Sequence, residues 1–262
     1  MRNKPLRLLS EERRRKILDL LAEQGRVTVD GLANSFCVSA VTVRADLEEL
    51  GGKGLLVRSH GGAILPLSPK QDYPLQLKKT LHHAEKVRIG RAAAQLVQPR
   101  QTVIIDGGTT TAEVARALKR ASPQAVTVIT HALNIALELA DSPDISLIVI
   151  GGIFRHISKS FVGPPAERMM SDLHADHFFL AVDGLDPETG PSTPDVLEAQ
   201  LNAQMIRAAR EVSVIADATK FGRRSLSLIG DIRSIHRVIT DSDVNEEMVC
   251  QLRKMGIDVV VV

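Results

Sequence analysis

The residues best placed to do chemistry are Asp106-Gly107-Gly108-Thr109-Thr110-Thr111, which follow the apolar run Val103-Ile104-Ile105 and precede a helical pattern starting near Ala112. Glycines let a backbone approach an anion closely. Exposed amides at a helix N-terminus, with threonine hydroxyls beside them, then make a cradle for phosphate or carboxylate. The segment lacks the Gly-Lys-Ser/Thr of a Walker loop and is not a dinucleotide fingerprint. A plain strand-to-helix turn accounts for the two glycines but not for three threonines in a row. Two other strand ends carry polar groups beside glycine. Gly151-Gly152-Ile153-Phe154-Arg155 closes the run 145–150 with a guanidinium, and Asp183-Gly184 closes 178–182 with a carboxylate suited to sugar hydroxyls. Glu198 and Asn202 lie one helical turn apart, and Asp217-Ala218-Thr219-Lys220-Phe221-Gly222-Arg223 ends another strand with both charge signs. Ligands of open parallel sheets sit outside the carboxyl ends of the strands, so the predicted pocket is the place where these ends converge.

A second constellation lies near the N-terminus. At about 100° per residue, Val43, Leu47 and Leu50 share one arc of a predicted helix, and Val41, Thr42, Arg44, Ala45 and Glu48 share the opposite one. Arg44 suits guanine or phosphate, Ser39 and Thr42 suit phosphate oxygens, and Val41 and Ala45 suit thymine methyls. Arg58 and His60 lie on a predicted hairpin that would reach the DNA backbone or minor groove, and Arg13, Arg14, Arg15 and Lys16 add charge nearby. The alternative is a charged helix surface in a protein-docking module.

The elements needed to position these groups are legible. Ser10 is the expected cap of a helix over 11–24 that Gly25 stops. Val27-Thr28-Val29 is a short extended piece, and Asp30 and Ser39 are expected to cap two further helices. Leu55-Leu56-Val57-Arg58 and Gly62-Ala63-Ile64-Leu65 read as strands around Ser59-His60-Gly61. Three helices and a hairpin make a winged helix-turn-helix plan over residues 1–65. Pro66, Pro69 and Pro74 mark a stiff connection over 66–80. Residues 75–97 look helical. Apolar runs at 103–105, 126–129, 145–150, 178–182, 212–216, 238–239 and 257–262 then alternate with helix-length segments. That pattern predicts an α/β fold, with a mostly parallel sheet covered on both faces in residues 81–262.

Charge divides in the same way. The 262 residues carry 33 Lys and Arg against 31 Asp and Glu. Residues 1–100, however, hold 18 against 10, leaving an acidic remainder with 15 against 21. A basic module at one end suggests a polyanionic partner there. The absence of Trp, with one Tyr, disfavours sites built on stacked rings. Cys37 and Cys250 suit a reducing cytoplasm and no disulfide framework. No apolar stretch approaches about 18 residues and the N-terminus lacks a signal-like apolar core, so a cytoplasmic protein without membrane contact is expected. His174 and His177 have one metal-like spacing but no third ligand, so neither metal nor cofactor is expected. His82-His83 reads as a solvated helix face.

At these motifs the sequence resembles the DeoR family of bacterial transcription regulators. The pieces are Ser39-Ala-Val-Thr-Val-Arg-Ala-Asp-Leu47, Arg58-Ser-His-Gly-Gly-Ala63, Asp106-Gly-Gly-Thr-Thr-Thr111, Gly151-Gly-Ile-Phe-Arg155 and Asp217-Ala-Thr-Lys-Phe-Gly222. The resemblance implies a winged-helix DNA-binding domain joined to a sensor domain like ribose-5-phosphate isomerase. It also implies an oligomeric repressor that binds double-stranded operator DNA and is released by a phosphorylated sugar. Many members have Lys where this chain has Asn202. The stretch Leu197-Glu-Ala-Gln-Leu-Asn-Ala-Gln-Met205 is similar to regulators of N-acetylgalactosamine and tagatose catabolism. Isomerase chemistry needs an acid and a base around an enediolate. Asp183 or Glu198 suits the base, but Asn202 cannot shuttle a proton, so binding is favoured over catalysis. An activator, or a DNA binder with a vestigial pocket, is the other reading.

Overall fold

The computed structural model describes residues 9–64, 72–122 and 125–262, and it divides into two compact units. The predicted strand residue Leu65 and most of the proline-rich connection, including Pro66 and Pro69, lie outside the described residues.

The first unit contains α1 (Ser10–Gln24), β1 (Arg26–Thr28), α2 (Val29–Phe36), α3 (Ala40–Gly52), β2 (Val57–Ser59), β3 (Gly62–Ile64) and α4 (Leu75–Thr80). Ser39 caps α3 as expected, its hydroxyl accepting the Thr42 N–H at 3.2 Å. The other two caps differ from expectation. Ser10 is already helical, and Glu12 reaches back to accept the Leu9 N–H instead. Thr28, not Asp30, caps α2 by accepting the Gly31 N–H at 3.1 Å. A hydroxyl or carboxylate works as a cap only at the last non-helical residue, and here the helices start one residue or more before the expected positions.

β3 lies between β1 and β2 in an antiparallel sheet, so the wing is a hairpin whose sheet is completed by β1. Gly62 faces Val27 so closely that a Cβ there would meet its carbonyl oxygen at 2.0 Å. Ile17, Leu21, Val27, Leu32, Val43, Leu47 and Leu56 form the core. Leu77 of α4 belongs to this core as well, so the stretch read as a connector over 66–80 carries a helix of the first unit. The predicted helix over 75–97 breaks at Leu81 and His82, where His82 takes a φ of 51°.

The second unit runs α5 (His83–Ala94), β4 (Thr102–Ile105), α6 (Thr109–Ala121), β5 (Val126–Thr130), α7 (Leu133–Leu139), β6 (Ile145–Val149), β7 (Ile153–Arg155), β8 (Ser160–Val162), α8 (Pro164–Met170), β9 (Ala175–Ala181), β10 (Gly184–Asp186), β11 (Gly190–Thr193), α9 (Val196–Ala208), β12 (Ala209–Ile215), β13 (Ser227–Leu228), β14 (Arg237–Thr240), α10 (Glu246–Lys254) and β15 (Asp258–Val261). All seven apolar runs become strands of one parallel sheet, ordered β15-β14-β12-β9-β4-β5-β6. Both faces are covered. Ile104, Phe178 and Leu180 point into one core, and Val103, Ile105 and Phe179 into the other. Alternation across a pleat buried on both sides is why the strands read as unbroken apolar runs.

The chain leaves β4 toward β5 and β6 on one side, and resumes on the other side of β4 with β9, β12, β14 and β15. The β4/β9 junction is therefore the topological switch point, where a crevice opens between connections that diverge to opposite sides.

Two smaller sheets were not expected: the hairpin β7–β8 and the antiparallel set β10-β11-β13. Their strands are two to four residues long and carry no sustained alternation. Each decorates the carboxyl edge of the main sheet. The hairpin puts Arg155 opposite Ser160, and β11 leads directly into α9.

Candidate functional site

In the first unit, α3 buries Val43, Leu47 and Leu50 and turns Val41, Arg44, Ala45 and Glu48 outward, with Thr42 half-buried. Val41 is 72% exposed on this outward face. Ser39 and Thr42 hydroxyls lie 2.9 Å apart at the helix N-terminus. Arg58 and His60 are exposed on the wing, and Arg58 donates to the Arg44 carbonyl at 3.0 Å, fastening wing to helix. Glu48, Arg58, Ser59 and His60 line an open cleft of about 550 Å³. All seven sequence-predicted residues, Ser39, Val41, Thr42, Arg44, Ala45, Arg58 and His60, therefore belong to α3 with its cap or to the wing.

The basic run at the start of α1 behaves differently from expectation. Arg13 is buried and reaches Asp46 through Nε at 2.5 Å and Nη2 at 3.1 Å. Arg14 pairs with Asp46 at 3.0 Å and with Glu49 at 2.5 Å. These two arginines brace α1 against α3. Only Arg15 and Lys16 of the run face solvent.

In the second unit, the turn after β4 is set by Asp106, which is almost wholly buried. Its Oδ1 accepts the Gly107 N–H at 2.7 Å, and its Oδ2 accepts the Ala181 N–H at 3.0 Å and the Asn202 side-chain amide at 3.3 Å. His131 Nε2 lies 2.9 Å from Oδ1. With so many partners, Asp106 positions the turn; the expectation that it contacts a ligand directly does not fit its enclosure.

His131, one residue beyond β5, donates from Nδ1 to the Phe161 carbonyl at 2.9 Å. Burial alone would lower its pKa. The Asp106 carboxylate, the Phe161 carbonyl and the charge of Glu198 outweigh that and raise it above the ordinary histidine value. The Gly107 amide also approaches Nε2 at 3.2 Å, so the ring sits between the Asp106 carboxylate and the turn.

Helix α6 begins at Thr109, three residues before the expected start, with Gly108 at its N-cap and no side chain capping it. The first-turn amides, which lack intrahelical acceptors, therefore face the switch point, the arrangement that binds anions. A Cβ at Gly108 would sit 3.0 Å from Thr111 Oγ1 and 3.1 Å from Ala181 Cβ, so only glycine leaves the turn open without a shift. Thr109 is half-buried, whereas Thr110 and Thr111 are buried. The Thr111 hydroxyl is buried beside Gly108 and has no hydrogen-bond partner among the described residues. Asn134 on α7 donates to the Gly108 carbonyl at 3.1 Å. Because carboxylates and carbonyls only accept, the orientations of Asn202 and Asn134 are fixed, leaving Asn202 Oδ1 and Asn134 Oδ1 as buried acceptors without a donor among the described residues.

Arg155, at the end of β7, is surrounded by carboxylates. It reaches Glu198 at 2.7 Å, Asp72 at 2.5 Å and Asp195 at 3.1 Å, and donates to Ser158 at 2.9 Å. Burial works against its charge, but Glu198, Asp72 and Asp195 together raise its pKa above the ordinary guanidinium value. Glu198 also accepts from Thr193 at 3.1 Å, and its N–H is capped by Asp195 at 2.9 Å.

The other predicted residues fall into two groups. Gly151, whose N–H approaches Met169 Sδ at 3.3 Å, has room for a side chain, whereas Gly152 serves packing, since a Cβ on it would meet the Val162 carbonyl oxygen at 2.7 Å. Gly184 is likewise closed off, by the Arg223 carbonyl 2.4 Å from a built Cβ. Asp183 is half-buried at the end of β9, its N–H donating to the Ser192 carbonyl at 3.0 Å. Lys220 is half-buried on a short 3-10 turn, and no ion pair joins it to the Arg155 cluster among the described residues. His177 is a core residue, its Nε2 2.8 Å from Ser213 Oγ and its ring stacked on Phe179. No group of three metal-ligating side chains occurs among the described residues, and no helix among them is long and apolar enough to cross a membrane. Sequence reasoning missed His131, Asn134, Asp72 and Asp195. The signal for His131 was available: a polar residue at the carboxyl end of an apolar strand, as for Asp106 and Asp183.

Comparison with known proteins matches residues 13–68 to the DeoR-like helix-turn-helix domain and residues 81–242 to the DeoR C terminal sensor domain. A protein of Escherichia coli O157:H7 named "Putative aga operon transcriptional repressor" is 37% identical over 97% of this chain and 94% of its own length. The glycerol-3-phosphate regulon repressor of Escherichia coli K12 is 32% identical over 88% of this chain and 90% of its own length. Among solved structures, ribose 5 phosphate isomerase A from Neisseria gonorrhoeae overlaps 59% of this chain and 57% of its own with a TM-score of 0.40 and 13% identity, too loose a likeness to transfer any activity. With a helix-turn-helix and wing ahead of a parallel-sheet sensor domain, and both family models matched in that order, the chain belongs to the DeoR family of transcription regulators.

Proposed function

We propose that this protein represses a sugar or amino-sugar catabolic operon and leaves its operator when a phosphorylated sugar binds the second unit. The observation that carries this reading is α3, which buries one stripe and offers Val41, Thr42, Arg44 and Ala45 on the other, with the wing tied to it through Arg58. A helix of this kind fits a major groove, with Arg44 reading guanine and Val41 and Ala45 contacting thymine methyls. Support for the sugar-phosphate half comes from the open amides of α6 at the switch point, beside the hydroxyl-binding acceptors Asn202 and Asn134. The names of the two repressors above, one for an aga operon and one for a glycerol-3-phosphate regulon, agree with carbohydrate control. The active species on a two-fold operator is a homo-oligomer, since a single recognition helix reads only one half-site.

Selecting duplexes from a random DNA pool with the purified protein, then titrating phosphorylated and free sugars into the resulting complex, tests the reading. Enrichment of a symmetric sequence and its release by one phosphorylated sugar are expected. A pool that gains no consensus would overturn the DNA-reading assignment.

A further inference from the structure

A groove of about 660 Å³ lies between one face of α10, the loop ahead of it and the outer strand β15. Val244, Val249 and Val261 give its apolar lining, and Val261 is 43% exposed. Glu246, Val249, Cys250 and Arg253 follow one another at i, i+3, i+4 and i+7, so they share the face of α10 that borders the groove. Glu246 stands at one end, and Arg253 with Lys254 at the other. Among the described residues no ion pair engages any of these three, and Arg253 is held by donating to the Val259 carbonyl at 2.9 Å.

The helix dipole favours acid in the first turn and base in the last, but it calls for no apolar groove between them. A small molecule is fitted by polar groups that converge on one point. Here the charges are opposite in sign and lie about 10 Å apart along the helix, at about 1.5 Å per residue. The surface that matches them is the same face turned end for end. The midpoint of Val249 and Cys250 is also the midpoint of Glu246 and Arg253. A two-fold axis through it sets each Glu246 level with Arg253 of the second copy, and each Val249 level with Cys250 of the second copy. The contact is therefore self-complementary in charge at its ends and apolar at its centre.

We propose that this face of α10 is a docking surface for a second copy of the chain, packed antiparallel across a two-fold axis at Val249 and Cys250. The inference rests on the reading that the protein acts as a homo-oligomer, and it names the face through which two copies meet.

Sedimentation velocity of the full chain without DNA, over a range of concentrations, is the test. The unaltered chain is expected to sediment as a dimer or an assembly of dimers. Glu246→Lys sets like charges against each other at both ends of the seam and is expected to weaken the pairing about tenfold. Combining Glu246→Lys with Arg253→Glu exchanges the signs and is expected to restore the pairing to within about threefold. The axis also brings Cys250 of the two copies together, so a short bis-maleimide is expected to join two chains of the Cys37→Ser variant and none of the Cys250→Ser variant. Pairing unmoved by Glu246→Lys, or no joining through Cys250, would overturn this face and leave the homo-oligomer standing. A chain that stays monomeric throughout would overturn both. Melting curves of the variants keep loss of fold apart from loss of pairing.

Discussion

Asp106 and His131, 25 residues apart in sequence, meet in the core with Nε2 2.9 Å from Oδ1, and the turn that opens α6 hangs on the contact. Replacing the ring takes one partner from the buried Asp106 carboxylate, and a weakened buried polar contact of this kind generally costs about 1–3 kcal/mol. His131→Gln should therefore lower the unfolding free energy by about that amount in urea titration and weaken any ligand of the Gly107-Gly108 turn. A change below about 1 kcal/mol would show that the pair is not the brace described.

The same histidine has a pH signature. Its folded pKa is raised, so the stability it contributes is complete below the unfolded value near 6.5 and is lost as pH rises through the folded value. His177 has the opposite sign. Burial pulls its pKa down to about 4, against a small opposing effect of Glu211. Below the unfolded value near 6.5 the unfolded chain gains a proton that the folded one does not, so stability should fall between about pH 6.5 and 4, by roughly 3 kcal/mol at most. Thermal midpoints of the His177→Leu variant should lose much of that acid decline, and those of His131→Gln the alkaline one.

Arg44 and Asp46 are two residues apart on α3 and should give contrasting variants. Arg44 is exposed and opposite the core, so Arg44→Ala should keep the melting temperature and weaken consensus DNA about ten- to hundredfold, the range for one bidentate base contact. Asp46 is buried between Arg13 and Arg14, so Asp46→Ala should unfold the first unit or destabilise it by about 3–5 kcal/mol. Circular dichroism beside fluorescence anisotropy separates the two outcomes. Loss of helix in Arg44→Ala would contradict the assignment of the outward face.

Gly108→Ala tests the cradle without altering charge. Its methyl would press on Thr111 Oγ1 and Ala181 Cβ at about the closest distance that side chains tolerate. Stability should drop by about 1–3 kcal/mol, and phosphate affinity should fall further than that of a distant variant of equal stability.

These contrasts follow how much the sequence reveals. The seven strands of the main sheet were legible because each reads as a run of apolar, mostly β-branched residues, the inner strands being buried on both faces, and α3 was legible because Val43, Leu47 and Leu50 share an arc. The hairpin β7–β8 was not, since three-residue strands leave no period to count. Nor was the role of Arg13: an arginine in a basic run looks solvated until Asp46, 33 positions away, is seen to meet it. The cluster around Arg155 escaped for the same reason, because Asp72 lies 83 residues away. In the candidate site, the strand-end motifs lie along the carboxyl edge of the main sheet, but glycines at 152 and 184 answer to close packing.

The most direct test of ligand-controlled DNA release is calorimetry with a panel of phosphorylated and free sugars, including N-acetylgalactosamine 6-phosphate and tagatose phosphates, on the protein alone and on its complex with selected duplex DNA. By linkage, ligand and DNA must weaken each other by the same factor. One phosphorylated sugar should bind the free protein more tightly than the complex, with its unphosphorylated form silent. Equal affinity for free and DNA-bound protein would contradict release by a sugar phosphate.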